Sequence, residues 1–478
     1  MTRKGFLQSL AGSAAVPAVG RAGKRNIVLI LSDDHSYGHL GCTGHPWLRT
    51  PNLDRMAAGG VLFRNAFVTT SLCSPSRASI LTGQYAHAHG VIGNDMDLPA
   101  GAATFPEFLQ RESYRTGLVG KWHIGSDTDE PRPGFERWCS FAGQGVYNDP
   151  VLNSDGTRIQ AKGYTTDLLT QEALRFLGQP DARPFFLMLS HKAPHSFCEP
   201  AERHRDLYRT EPIPVPASMA DSDQNYSGKP EWVLRQRDSW HGVDGMYDRQ
   251  IAFEQHYRDY CRTLMALDES VGGVLDLLAS RGMLNDTLVL YMSDNGFQFG
   301  EHGLIDKRTM YEPSIRIPMM AHCPDLFVAG RQVDEMVLNL DVAPTFLAAA
   351  SAEIPRAMHG RSMLELLRGG AQWRSDFLYE YFWNRTFPQT PTMTGLRTER
   401  FSYMRYHGIW DLNELYDMQR DSEQMRNLLS EVRITTQPGP LVSNIRDQKL
   451  RELVDGFNQR IFDILMRTGA DLDAKWLA

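Results

Sequence analysis

Three short apolar runs, each ending in polar or acidic residues, constrain the fold more than any other feature of the chain. Residues 26–31 read Asn-Ile-Val-Leu-Ile-Leu and lead into Ser32-Asp33-Asp34. Residues 185–189 lead into Ser190-His191, and residues 287–292 lead into Ser293-Asp294-Asn295-Gly296. A continuous apolar run has no solvent face, so it fits a strand buried on both sides in a parallel sheet. Open parallel sheets bind ligands just beyond the carboxyl ends of their strands. Three segments far apart in sequence therefore point to one rim.

Between these runs, residues 166–177 and 257–281 repeat apolar positions at spacings of three and four, the period of a helix. Strand and helix alternation predicts an α/β core. Residues 196–250 are rich in Pro, Asp, Gln and Trp and weak in periodicity. They read as an insertion over the sheet edge, which either shapes a substrate pocket or elaborates the surface. After about residue 370, short alternating segments at 376–383, 392–397 and 401–406 predict a small antiparallel sheet, closed by a helix near 446–467. The expected division is an N-terminal segment over 1–22, a main α/β domain over 23–369 and an α+β subdomain over 370–478. No internal repeat interrupts this plan.

With 478 residues and 42% apolar content, the chain can bury a large core. Its net charge of -7 argues against a nucleic-acid partner, so any cationic patch must be local. No apolar run is long enough for a membrane span. The six cysteines, at 42, 73, 139, 198, 261 and 323, are scattered without a Cys-x-x-Cys pair, which disfavours zinc and redox motifs. Free buried thiols are favoured over a disulfide. Arg3-Lys4 followed by a small and apolar stretch through Ala18 has the order of an export signal, against the alternative of a disordered tail. The first reading implies a periplasmic or extracellular protein, the second a cytoplasmic one. The sequence says nothing of oligomeric state.

Asp33-Asp34 alone would be a cap or a solvated turn. Paired with Asp294-Asn295 after another buried strand, it becomes an all-oxygen set suited to Ca²⁺ or Mg²⁺. Clustered carboxylates repel one another without a cation. A second cluster, Cys73-Ser74-Pro75-Ser76-Arg77, continues to Leu81-Thr82-Gly83. This resembles the C-x-P-S-R signature of type I sulfatases, in which a maturase oxidises the cysteine to formylglycine. Further matches come in the family's order: Gly120-Lys121-Trp122-His123, Ala193-Pro194-His195, Gly300-Glu301-His302-Gly303 and Asp306-Lys307. Near the C-terminus, Gly395-Leu396-Arg397-Thr398 and Glu414-Leu415-Tyr416-Asp417 resemble its closing subdomain, although a proline usual after that Tyr-Asp is absent.

The resemblance covers roughly residues 25 to 430. It implies an alkaline phosphatase-like fold, a large mixed, mostly parallel sheet flanked by helices, with a small C-terminal antiparallel sheet and a helix. It implies a metal, Ca²⁺ or Mg²⁺, held by Asp33, Asp34, Asp294, Asn295 and the modified Cys73. Arg77 would hold the formylglycine hydrate, and Lys121 and Lys307 would clamp the sulfate. Attack by one hydroxyl of the hydrate would give a sulfated enzyme, with His195 protonating the departing alcohol and binding substrate. His123 would deprotonate the second hydroxyl to expel sulfate. His35 and His302 beside the metal segments are either ligand-side or structural; Tyr37, Trp122 and Trp240 either stack on a sugar or pack.

Two rivals use the same residues. One is a formylglycine-dependent phosphonate monoester or phosphodiester hydrolase, because sulfuryl and phosphoryl groups share tetrahedral geometry. The other is a silent binding homologue in which Cys73 is never matured. Residues 387–392 and 406–410 resemble carbohydrate-acting sulfatases, including N-acetylglucosamine-6-sulfatases, so the expected partner is a sulfated small molecule or saccharide.

Overall fold

In the computed structural model, the described residues are 23–125, 128–370, 372–408, 411–432 and 445–470. The candidate export segment, Ile409 and Trp410 lie outside them.

The apolar runs form strands where expected. In chain order these are β1 (Asn26–Ser32), β2 (Arg115–Gly120), β3 (Phe185–Ser190) and β4 (Thr287–Ser293). Among the described residues they belong to a ten-stranded sheet. Its five central strands, in the order β4, β1, β3, β2 and Arg137–Ser140, run parallel. Met319–His322 and Val151–Ser154 join antiparallel on either side, so the sheet is mixed and mostly parallel, as expected.

Both faces are covered, which explains the unbroken hydrophobicity of β1. Its Ile27, Leu29 and Leu31 enter one core, shared with Ala78, Ile80 and Leu81 of α1 (Cys73–Thr82). Its Val28 and Ile30 enter the other, under α2 (Thr165–Gly178) and α3 (Phe253–Ser280). Residues 166–177 and 257–280 thus fall in helices; α2 extends one residue beyond the expected range at each end, while α3 begins four residues earlier and stops one residue short of Arg281.

The C-terminal segments form a four-stranded antiparallel meander of β5 (Asp376–Tyr381), β6 (Thr392–Thr398), β7 (Phe401–His407) and β8 (Glu414–Asp417). The segment read as 376–383 stops at Tyr381, leaving Trp383 exposed. Helix α4 (Gln448–Arg467) buries Val454, Phe457, Ile461 and Ile464 against the meander, with Phe457 5.7 Å from the rings of both Phe401 and Tyr403. The meander shares its core with the large sheet. It is tied there by Glu414, whose buried carboxylate accepts from the hydroxyls of Tyr406, Tyr416 and, across the junction, Tyr311 at 2.9 Å.

One expectation needs correcting. Residues 196–250 do not lie over a lateral sheet edge; those edges are Arg331–Val333 and Thr157–Gln160. Their Phe197, Trp240, His241 and Tyr247 instead wall a cavity on the carboxyl rim, because parallel strands leave their loops there. All six cysteines are free, and five of them are buried.

Candidate active site

Register brings the strand ends together. Leu31 pairs with Ser190, Ser32 with Ser293 and Gly120 with Ser190, so the loops beyond these strands converge. Gly120 is required at the last of these positions. Its φ is +109°, and a Cβ there would lie 1.9 Å from the Ser190 carbonyl oxygen. That close approach lets the Lys121 amide donate to the same carbonyl at 2.7 Å and turns its side chain into the site. Asp34 and His123 also hold positive φ, 67° and 46°, a strain that tertiary packing must maintain.

Cys73 opens α1, a helix buried along its whole length. Its N-terminal end carries the positive pole of the helix dipole, which favours an anion. The Ser74 amide donates to Asn94 Oδ1 at 3.0 Å and its hydroxyl to the His123 carbonyl at 2.7 Å, fixing the turn. One helical turn later Arg77 points the same way. Its Nε donates to Asp294 Oδ2, and its Nη1 to the Lys121 carbonyl and to Ser190 Oγ, each at 2.8 Å.

Around Cys73 lie two lysines and three carboxylates. Lys307 Nζ is 2.6 Å from Asp34 Oδ2 and 3.1 Å from Cys73 Sγ. Lys121 Nζ pairs with Asp33 Oδ2 and with Gln144 Oε1. Asp33 Oδ1 accepts from Cys73 Sγ at 3.5 Å. Oxygens of Asp33, Asp34 and Asp294 lie within 4.8 Å of one another, all buried. The Asn295 amide nitrogen donates to Asp34 and Asp294 at 3.0 and 2.9 Å, while its Oδ1 is buried without a partner. Three carboxylates and an orphaned amide oxygen fit a hard divalent cation, since oxygen is the donor that Ca²⁺ and Mg²⁺ take.

The electrostatics divide these groups. Burial works against ionised Asp33, yet Lys121, His195, Arg77 and Lys307 hold it well below the usual carboxylate range. Burial, helped by the Asp33 charge, raises Asp34 and pushes Asp294 up to about 7. Burial pushes the Cys73 thiol up to about 12, so the unmodified side chain is a protonated thiol and a poor nucleophile.

Two histidines face the cluster, both kept neutral by burial. His195 falls well below its ordinary value; its Nδ1 lies 2.6 Å from the Ser196 carbonyl and its Nε2 3.7 Å from Asp34 Oδ2. A carbonyl beside Nδ1 requires the proton there and leaves Nε2 open. His123 is held to about 2 by burial, Lys121 and Arg77, and its Nε2 lies 3.3 Å from Gln144 Nε2. A cavity of about 610 Å³ opens over His123, His195, Asp34 and Lys307.

The structure therefore gathers Asp33, Asp34, Cys73, Arg77, Lys121, His123, His195, Asp294, Asn295 and Lys307 in one place. It moves others away. His35 is buried between the Tyr291 hydroxyl at 2.6 Å and the His39 carbonyl at 2.8 Å, a structural role. His302 packs against Tyr311 with ring centroids 4.0 Å apart and planes tilted by 37°, and Trp122 packs on Trp138. Tyr37 lies under the Arg316 guanidinium, whereas Trp240 does line the cavity. Sequence reasoning missed Gln144 and Arg308. Arg308 directly follows the Asp306-Lys307 match and stacks on Phe387 at 3.7 Å, so adjacency was its available signal. Gln144 sits in an irregular loop that offered none.

Residues 25–352 match the family model described as Sulfatase. The chain belongs to the sulfatase family. A second model, N-sulphoglucosamine sulphohydrolase, C-terminal, matches residues 300–451. The sulfatase is 33% identical to N-acetylglucosamine-6-O-sulfatase of Bacteroides thetaiotaomicron, over 87% of this chain and 84% of that one. A protein solved in complex with its substrate D-glucosamine-2-N,6-O-disulfate superposes with a TM-score of 0.84 at 29% identity, over 94% of this chain and 99% of that one. The phosphonate monoester hydrolase of Agrobacterium radiobacter shares the fold, with a TM-score of 0.75 at 20% identity over 93% and 96% of the two chains. As a member of this family the sulfatase hydrolyses sulfate esters. Among the described residues no helix is long and apolar enough to cross a membrane.

Proposed function

We propose that this sulfatase removes sulfate from a sulfated carbohydrate of the glucosamine 6-O-sulfate type, with residues 23–369 as catalytic unit and 370–478 as a supporting subdomain. The observation that carries this reading is the cavity over the cluster. At about 610 Å³ it accommodates a saccharide rather than a small inorganic ester. Its walls combine rings of Phe197, Trp240 and Phe387 with the polar Asn94, Asp95 and Asn384, the mixture a sugar's faces and hydroxyls require. The relatives whose name or bound substrate is a sulfated glucosamine support the same choice.

Bound Ca²⁺, or Mg²⁺, on Asp33, Asp34, Asp294 and Asn295 would polarise a sulfate oxygen, and formylglycine made from Cys73 would supply the attacking hydrate oxygen. The chain's own groups do the rest. Lys121 and Lys307, both buried at the cluster, bind sulfonate oxygens and offset their charge where water is excluded. Arg77 holds Asp294 and the Lys121 backbone, which fixes the nucleophile's surroundings. An entering sulfate opposes the burial that lowers the basicity of His195, so that Nε2 takes up a proton from solvent on substrate binding and then passes it to the departing alcohol oxygen. His123, whose Nε2 accepts from Gln144 Nε2 at 3.3 Å, takes the proton released when sulfate leaves once that hydrogen bond is given up.

The test is hydrolysis of a panel of sulfated glucosamines, galactosamines and aryl sulfates, alongside a matched aryl phosphonate ester. The reading expects the highest kcat/KM on a glucosamine 6-O-sulfate. A preference for the phosphonate ester would overturn it.

A further inference from the structure

A second cavity, of about 560 Å³, shares no lining residue with the one beside Cys73. Its walls come from residues 356–361, from the segment before β5 and from α4, with Tyr85 just past the far end of α1. The ten residues of α1 span about 15 Å at 1.5 Å each, so the two cavities flank opposite ends of the buried helix.

The lining is strongly cationic, with Arg356, Arg361, Arg374, Arg460 and Arg467 beside His359. Asp376 is the acidic residue among the lining positions, and Arg460 takes its two oxygens at 2.7 and 2.8 Å. Arg374 is neutralised from behind by Asp341 at 2.7 Å. Arg361 approaches Glu365 only to 3.9 Å, and Arg356 and Arg467 form no ion pair among the described residues. Arg356 and Arg467, both exposed, thus border the cavity without a carboxylate partner among the described residues, and Arg361 has only the long Glu365 contact, in a chain whose net charge is -7. Arg361 and Arg374 also lie over the Trp373 ring, at 4.5 and 4.9 Å, a packed wall rather than a fringe of free side chains. Burial, His87 and Arg467 hold His359 to about 4, consistent with a locally positive field.

Solvent screens the exposed arginines, and an anion shared among them relieves the repulsion that is left. Arginine forks match tetrahedral oxyanions with two parallel hydrogen bonds, which ammonium groups do not. We propose that this cavity is a second, non-catalytic binding site for a sulfate group, free or carried on a saccharide. Only the saccharide form rests on the sulfated-glucosamine reading of the active site. The site would hold a sulfated chain, or released sulfate, remote from the nucleophile.

The experiment is calorimetric titration of the full-length Cys73→Ser protein with a sulfated glucosamine tetrasaccharide and, separately, with inorganic sulfate. Two binding events are expected with the tetrasaccharide, one of them weakened by about tenfold or more in Arg356→Glu/Arg467→Glu as charge-assisted hydrogen bonds are lost. Arg356→Gln/Arg467→Gln should fall between, and thermal melting checks that each variant is folded. A single event that the double reversal leaves unchanged overturns the proposal, and so does a titration in which neither probe binds. Arginine-dependent binding of inorganic sulfate without any saccharide binding supports the pocket and refutes the substrate reading instead. Equal arginine-dependent affinity for a chloride control also overturns it.

Discussion

Arg77→Met removes the guanidinium from the centre of the site while keeping much of the side chain's length. Arg77 is fully buried and joins Asp294, the Lys121 carbonyl and Ser190 Oγ, each at 2.8 Å. Taking one partner from a buried ion pair costs about 3–5 kcal/mol, because the other charge stays desolvated. The Lys121 carbonyl also loses a charged donor, worth about 1.5–3 kcal/mol. The Ser190 hydroxyl can rotate to a new partner, and protonation of Asp294 relieves part of the ion-pair loss. The two costs therefore overlap, and the expected net loss is about 4 kcal/mol, roughly a thousandfold in the folding equilibrium. Urea denaturation followed by tryptophan fluorescence measures it through the midpoint at constant slope. Arg77→Lys keeps the charge but not the fork, and should lose about half as much. A loss under about 1 kcal/mol for Arg77→Met would refute the reasoning, since that is the worth of an exposed pair.

Chelation of divalent cations should abolish turnover and lower the thermal midpoint, with Ca²⁺ restoring both, by about 2.7 kcal/mol when the ion is at a hundred times its dissociation constant; an unaffected midpoint argues against a cation on Asp33, Asp34, Asp294 and Asn295. Glu414→Gln leaves three tyrosyl hydroxyls facing a neutral amide, so stability should fall by about 2 kcal/mol in melting experiments while KM is unchanged. His87 is raised above its ordinary value; burial opposes this, and the Glu380 carboxylate 2.8 Å from Nδ1 outweighs it. A raised folded value stabilises at low pH and is lost as pH rises through it, so the penalty of His87→Gln should be larger at about pH 5.5 than at about pH 8.5. Denaturation midpoints at the two pH values check this, and a penalty that grows with pH contradicts it.

Much of this was legible because the chemistry sits at strand ends. Residues 26–31, 185–189 and 287–292 declare buried parallel strands by composition alone, and the polar residues just after each run must lie on the rim. Short motifs around Cys73, Lys121, His195 and Lys307 then name the rest of the cluster. Pairings across the rim were not legible. That Lys121 meets Asp33 rather than Asp34, or that Gln144 bridges Lys121 to His123, depends on loop paths that no periodicity encodes. Proximity in sequence left His35 and His302 open, one and seven positions from Asp34 and Asn295, and the structure favours the structural alternative because backbone direction turns their rings into the core. The 196–250 insertion lacked a helical or strand period, so its place over the rim came only from the connectivity of the sheet.

The most direct test of the whole account is the chemical state of residue 73. Mass spectrometry of the peptide containing it, from protein made together with a competent maturase, should show formylglycine in place of cysteine, and Cys73→Ser should fold normally without turnover. An unmodified thiol in protein that hydrolyses sulfate esters at full rate would contradict the account.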